Sequence, residues 1–415
     1  MTAAEGTPAG SGRPSRRPDP ATCLYAARAL RDFGDGFVAV LLAVYLTELG
    51  FTPAAVGAVA TAALFGSSLT TLAIGLFGRP GAQRTLLLAA SGLMVATGLA
   101  FAVAADFAWL LLVAFVGTVN PSAGNVSVFV PMEHALLAGS AAAGRRTRMF
   151  AIYGLVGAIA ASLGSLAAGS PEPLIELGWS RLDALRSMFF VYAALGIAGG
   201  LCYRLIPAGA EASPARRSFA LGPSKRIVMR LALLFSIDAF AGGFAVQSLL
   251  ALWLFLKFDL SLASAGAFFF ASGLLAALSY PAAAWLAGRI GLLNTMVYTH
   301  IPSSLALIAA ALAPDLGPAL ALLLVRAALS QMDVPTRSSY VMAVVSPAER
   351  AAAASVTSVP RGLASAASPA LAGALLAAGH WAAPLVICGV LKIGYDLLIL
   401  WTFRGVKPPE EVGRA

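Results

Sequence analysis

An all-α membrane protein, with twelve transmembrane helices in two pseudo-symmetric bundles of six, is the fold class predicted by three observations. Apolar residues make up 59% of the 415-residue chain and charged residues only 11%, against about 25% charged in an ordinary soluble domain. Twelve apolar runs of membrane-crossing length follow one another along the chain. The second half then repeats the first at an offset near 209 residues.

A hydrocarbon core about 30 Å thick takes about 20 helical residues to cross. Runs of that length, bounded by polar or Pro/Gly breaks, fall at 24–49, 53–77, 84–105, 107–133, 147–169, 184–206, 227–256, 260–287, 292–313, 316–345, 351–378 and 381–403. The fourth and tenth carry the most polar groups and rest partly on symmetry. Abundant Ala and Gly suit close helix approach in lipid. The first 22 residues, rich in Pro, Gly and Ser, read as a disordered tail. Residues 23–206 form the first bundle, 207–226 a polar linker, 227–404 the second bundle, and 405–415 a second tail.

The net charge of +9 follows topology. With both termini cytoplasmic, the inside segments hold most of the basic residues, among them Arg79, Arg84, Arg145, Arg216, Arg289 and Arg350. The outside segments hold mainly Arg181, Arg186 and Lys257 beside seven carboxylates. This is the positive-inside pattern. It makes lipid the expected surroundings, speaks against nucleic acid as a partner, and places the chain in the cell membrane. Cys23, Cys202 and Cys388 are odd in number and lie in or beside spans, so no disulfide framework is implied. His300 and His380 lack metal-ligand spacing, and no cofactor or metal is expected.

The repeat is visible in the letters. "YLTELGFTPAAVGAV" from Tyr45 resembles "WLFLKFDLSLASAGAF" from Trp253, with Gly57 matching Gly266. "GLFGRPG" from Gly75 matches "AWLAGRIG" from Ala284. Two six-span halves, a basic central loop and a Gly-x-x-x-Asp-Arg-x-Gly-type signature after the second span of each half resemble the major facilitator superfamily over residues 22–404. The signature is eroded. Ala284, Gly288, Arg289 and Gly291 stand at its Gly, Asp, Arg and Gly positions in the second half; Gly75, Arg79 and Gly81 survive in the first, where the Asp slot is missing. The resemblance implies a conformational-switch loop at these residues, with a lock that differs from the family's or is weaker. Span five, "YGLVGAIAASLGSLAAG", lacks the Gly-Pro-Gly-Gly of drug/proton antiporters.

Ionisable residues inside spans cost roughly 2.5–3.5 kcal/mol on insertion scales, so each needs a partner, water or a task. Span one carries Arg28, Arg31, Asp32 and Asp35 on one stripe, with Arg28–Asp32 and Arg31–Asp35 at i,i+4. The stripe either neutralises itself or serves in coupling and gating. Asp238 lies near the middle of span seven with no basic residue within a turn, and is expected to take part in proton coupling unless an Arg of another helix pairs with it. Spans four and ten share a polar, Pro-containing break, of the kind tolerated where a helix lines a cavity. Asn120, Asn125 and Ser127 on one side, and Gln331, Asp333, Arg337 and Tyr340 on the other, are therefore candidate substrate contacts. Gln247 and Trp253 of span seven join them. Arg361, near the middle of span eleven, is either the partner of Asp238 or Asp333 or a fork for an anionic substrate. Lys392 and Asp396, at i,i+4 on span twelve, read as a structural pair. Glu133 and His134 read as interfacial.

The expectation that follows is a monomeric secondary transporter, not an enzyme, moving a small polar or amphipathic solute by alternating access with protons. The alternatives are a multidrug or toxic-compound efflux antiporter, a non-transporting receptor or scaffold, and an intramembrane aspartyl protease.

Overall fold

The computed structural model describes residues 19–77, 81–123, 127–140, 146–207, 221–346 and 349–406. Most of the expected tails and of the linker, together with Arg79 and Asn125, lie outside them, and Pro20, Ala21 and Thr22 of the expected first tail open a helix instead.

The first half contains α1 (Pro20–Glu48), α2 (Pro53–Phe77), α3 (Gln83–Val103), α4 (Phe107–Val116), α5 (Phe129–Ser140), α6 (Arg146–Ala167), α7 (Pro171–Glu176) and α8 (Arg181–Leu205). The second contains α9 (Lys225–Gly243), α10 (Gln247–Phe258), α11 (Leu262–Ile290), α12 (Leu292–Leu312), α13 (Leu316–Ser330), α14 (Asp333–Val344), α15 (Arg350–Ala377) and α16 (Ala383–Phe403). These make twelve spans, because α4/α5, α9/α10 and α13/α14 are each one span broken in the middle, while α7 is a short turn beyond α6. The expected breaks of spans four and ten are present. That of span seven is new: "GGFAV" interrupts it where Gly243 packs closely on the Ser365 carbonyl and Ser368 side chain of α15.

Local chemistry sets many ends. Asp19 caps α1 through Ala21 N–H at 3.4 Å, with Pro20 in the first helical position. Asp106, Ser180 and Ser261 cap α4, α8 and α11 through the N–H groups of Trp109, Asp183 and Ser264. Gly81 and Gly291, the matched last glycines of the two signatures, both have positive φ, 86° and 88°. A residue without Cβ adopts that conformation at no steric cost, and each reverses the chain between two spans.

The halves cross at two pairs of spans. Where α2 meets α15, a Cβ on Gly57 would lie 2.9 Å from the Gly373 Cα, and Ala370 N–H donates to Thr61 Oγ1 at 2.9 Å. Where α6 meets α11, a Cβ on Gly266 would lie 2.7 Å from the Ser165 carbonyl oxygen. The two glycines matched by the sequence repeat are thus the two close crossings between halves. Gln247 Nε2 adds a bond to Ser165 Oγ at 3.1 Å, and Ser248 N–H one to the Pro121 carbonyl at 3.0 Å, joining the breaks of spans seven and four. These contacts join the halves at mid-depth and toward the face opposite the termini.

On the face bearing the termini, Glu349 precedes α15 and gathers the start of span seven. It accepts from Ser346 Oγ at 2.6 Å, Ser224 Oγ at 2.7 Å, and the N–H groups of Gly222 and Ser224. These bonds, that from Ser346 foremost, hold its pKa below the usual glutamate value of 4.5. A depressed carboxylate stabilises the fold above its unfolded pKa and loses that contribution as pH falls through the folded one. The thermal-stability gap between wild type and Glu349→Gln is therefore expected to be full at pH 7 and to narrow as the pH falls below about 4.5. Unfolding scans across that range measure it.

Candidate functional site

Two clusters of buried charge, one in each half, occupy the depth of the membrane. In the first half, Arg28 Nε meets Asp32 Oδ2 at 2.6 Å, as the i,i+4 spacing predicts. Arg31 does not pair with Asp35. Its guanidinium turns to Glu133 Oε2 at 2.8 Å and Asp32 Oδ1 at 3.3 Å. Glu133 is fully buried and not interfacial as expected. It also accepts from the hydroxyls of Tyr153 at 2.5 Å and Tyr203 at 2.6 Å, while Arg28 lies over the Tyr153 ring and Arg31 over that of Phe129. His134 packs edge-on against Phe150 and Tyr153.

Asp35 is left with neutral donors. It is 2% exposed, and accepts from Tyr192 Oη at 3.4 Å and Asn120 Nδ2 at 3.5 Å. Among the described residues no cation stands within 4.0 Å of it. Glycine permits this packing: a Cβ on Gly34 would touch Tyr192 at 3.0 Å, and one on Gly157 of α6 would lie 2.5 Å from Arg28 Nε and Asp32 Oδ2.

In the second half Asp238 is the centre and is not isolated. Lys392 Nζ lies 2.5 Å from Oδ1 and an Arg337 guanidinium nitrogen 3.0 Å from Oδ2. That same nitrogen also reaches Asp333 at 3.0 Å. His300 Nδ1 lies 2.9 Å from Asp396, with its Nε2 3.4 Å from Lys392 Nζ. Lys392 and Asp396 are accordingly not a pair with each other. Sequence spacing placed them together, but each finds its partner on another helix. Arg361 forms no ion pair to Asp238 or Asp333, although both are among its charged neighbours.

Of the other candidates, Asn120 and Ser127 line a small pocket between α2, α3 and the break of span four, together with Ser67, Thr70 and Thr118. Tyr340 is fully buried and donates to the Val406 carbonyl at 3.0 Å. Trp253, 1% exposed, packs on Phe258 and under Lys257. Ser127 accepts locally from Phe129 N–H at 3.4 Å, and Asn120 Oδ1 from Ser122 N–H at 3.0 Å. Gln331 ends α13, and Gln247 bridges the halves through Ser165. In the second signature Arg289 stacks over Trp285 at 4.1 Å, while Gly75 and Gly288 sit near the ends of α2 and α11. Glu133, His300 and Lys392 are cluster members that sequence reasoning set aside. The available signal was an ionisable side chain inside a span with no opposite charge satisfied on its own helix.

Known proteins share this architecture. A nucleoside transporter, NupG, superposes with a TM-score of 0.72 at 15% identity, covering 93% of this chain and all of that one. A D-xylose–proton symporter gives 0.71 at 15% identity over 92% of this chain and 97% of its own. A bacterial homologue of the human lysosomal transporter Spinster, in an inward-facing state, gives 0.67 at 18% identity, covering 92% and 94%. In sequence, the uncharacterized membrane protein YJR124C of Saccharomyces cerevisiae is 23% identical over 92% of this chain and 94% of its own length. The family model of the Major Facilitator Superfamily matches residues 24–332. The protein belongs to the Major Facilitator Superfamily.

Proposed function

We propose that this chain is a secondary active transporter of a small polar or amphipathic solute, working by alternating access and coupled to protons through Asp35. The observation that carries the coupling is the charge balance of the first-half cluster. Two guanidinium groups, Arg28 and Arg31, face three carboxylates, and Asp32 and Glu133 take both. Asp35 remains, sealed among Tyr192 and Asn120. An uncompensated buried charge is costly, and a proton is small enough to enter and cancel it. Asp238, already held by Lys392 and Arg337, has no such need.

With the termini in the cytoplasm, as the distribution of basic residues supports, the halves are joined toward the outside and the cavity opens inward. The site is then that of a monomer in the cell membrane, and the rocking halves pivot on the Gly57 and Gly266 crossings.

The test is reconstitution of the full chain in liposomes holding a pH-sensitive dye, with a panel of metabolites, drugs and anions offered outside. At least one solute is expected to move protons with wild type and none with Asp35→Asn, while solute exchange without a gradient survives the substitution. Gradient dependence that persists in Asp35→Asn would refute the assignment.

A further inference from the structure

The second-half cluster has the opposite imbalance. Inside its spans, Arg326, Arg337, Arg361 and Lys392 outnumber Asp238, Asp333 and Asp396, and His300 is spent on Asp396. Arg337 and Lys392 are ion-paired. Among the described residues Arg326 and Arg361 are not, and the Nε of Arg361 is enclosed without a hydrogen-bond partner. Its charged neighbours are Arg337 and Asp333 of α14 and Asp238 of α9, with the Tyr395 hydroxyl of α16 close by.

Its place on α15 shows what it faces. At about 100° per residue, Ala354, Ser358, Arg361, Ser365 and Ser368 share one side of the helix. Ala354 and Ser358, nearer the termini, are exposed, Arg361 and Ser365 are half-buried, and Ser368 is fully buried against the Phe240 carbonyl of α9. The exposed apolar residues Pro360, Ala367 and Leu371 lie on a different side, the one that meets lipid. Arg361 therefore stands where the open side of α15, exposed at Ala354 and Ser358, passes into the buried interior at Ser368. A guanidinium there offers a planar fork of donors matched to a carboxylate.

We propose that Arg361 receives the carboxylate of an organic monoanion, so that the cavity loads one such anion together with one proton on Asp35. This rests on the proton-coupled reading given above. With Asp35 ionised and His300 neutral, the two clusters and Arg326, which lies near Lys392 across Cys388, together carry as many carboxylates as cations. Adding one proton to Asp35, beside Arg28, Arg31 and Asp32 of its own helix, Tyr192 of α8 and Asn120, leaves one positive charge uncancelled. One monoanion at Arg361 restores neutrality. A zwitterion bridging both groups does not fit, because Asp35 is sealed at 2% exposure while Arg361 is half-buried.

Binding and coupling are tested separately. Purified full-length protein is titrated with acetate, benzoate, indole-3-acetate and cholate, and with benzamide and indole-3-acetamide as neutral counterparts, and thermal unfolding is followed. At least one carboxylate is expected to stabilise the wild type where its amide does not. Arg361→Gln is expected to bind that carboxylate roughly tenfold to a hundredfold more weakly, Arg361→Lys to fall between, Arg326→Gln to lose less than Arg361→Gln, and Asp35→Asn, which carries the charge of the protonated state, to bind it at least as tightly as wild type. Proton-driven uptake of the same carboxylate into liposomes is expected to be indifferent to an imposed membrane potential. No shift with any carboxylate, an equal shift with an amide, or loss in Arg326→Gln but not Arg361→Gln overturns the anion site. If the anion binds as expected but Asp35→Asn keeps proton-driven uptake, the site stands and the joint loading falls.

Discussion

Asp238→Asn is expected to lower the stability of the folded protein by about 3–5 kcal/mol, the cost of removing one partner from a buried ion pair. Asp238 is the carboxylate nearest Lys392 Nζ, at 2.5 Å, and the other polar contact of that ammonium is His300 Nε2 at 3.4 Å, which carries no negative charge. Arg337 suffers less, since Asp333 remains at 3.0 Å. The loss should therefore come from a stranded ammonium, and removing it should restore most of the stability. Asp238→Asn with Lys392→Met is expected to be markedly more stable than Asp238→Asn alone, because two well-packed neutral groups replace a broken pair. Unfolding by SDS titration in mixed micelles measures the four species of the cycle. If the double variant is no more stable than the single, Lys392 and Asp238 are not each other's counter-charge.

This pair also marks the limit of what the letters reveal. Composition and apolar run length made the twelve spans legible, because lipid imposes its thickness on sequence directly. The repeat was legible as well, and it located Gly57 and Gly266, which prove to be the close crossings between halves. Pairing was legible only within a helix, and there only partly. Arg28–Asp32 holds at i,i+4, yet Arg31 turns to Glu133 instead of Asp35, and Lys392 and Asp396 part company for Asp238 and His300. Spacing along one helix fixes which side chains share a stripe. Which partner each takes depends on how neighbouring helices are rotated, and that is set by packing spread over the whole bundle. Asp35 shows the same logic from the other side: its lack of a cation depends on Glu133, 98 residues away by its number, capturing Arg31.

Gly57→Ala is expected to shift the protein out of the conformation closed on the face opposite the termini. The added Cβ would meet the Pro369 carbonyl and lie 2.9 Å from the Gly373 Cα and 3.1 Å from its nitrogen. All three are backbone atoms, so no side chain can rotate away, and α2 must move from α15. Overpacking of this kind costs typically ~1–3 kcal/mol. It applies only while the two spans are pressed together on that face, so a conformation that separates them escapes the penalty. A difference of that size alters the ratio of two states by roughly tenfold to a hundredfold. Spin labels at the exposed Thr52, just before α2, and Ala378, just after α15, should report a population at longer separation, and turnover should fall by at least about tenfold, because alternating access needs both closures. Gly266→Ala, whose Cβ would face the Ser165 and Leu166 carbonyls at 2.7 and 3.1 Å, is expected to act in the same direction at the α6–α11 crossing. Gly92→Ala on α3 is the control, with open space where its Cβ would stand and a helix propensity that favours the change. Unaltered label distances and turnover in Gly57→Ala would mean that the halves do not need this contact to close. With that result the repeat would lose its mechanical meaning and remain only a trace of duplication.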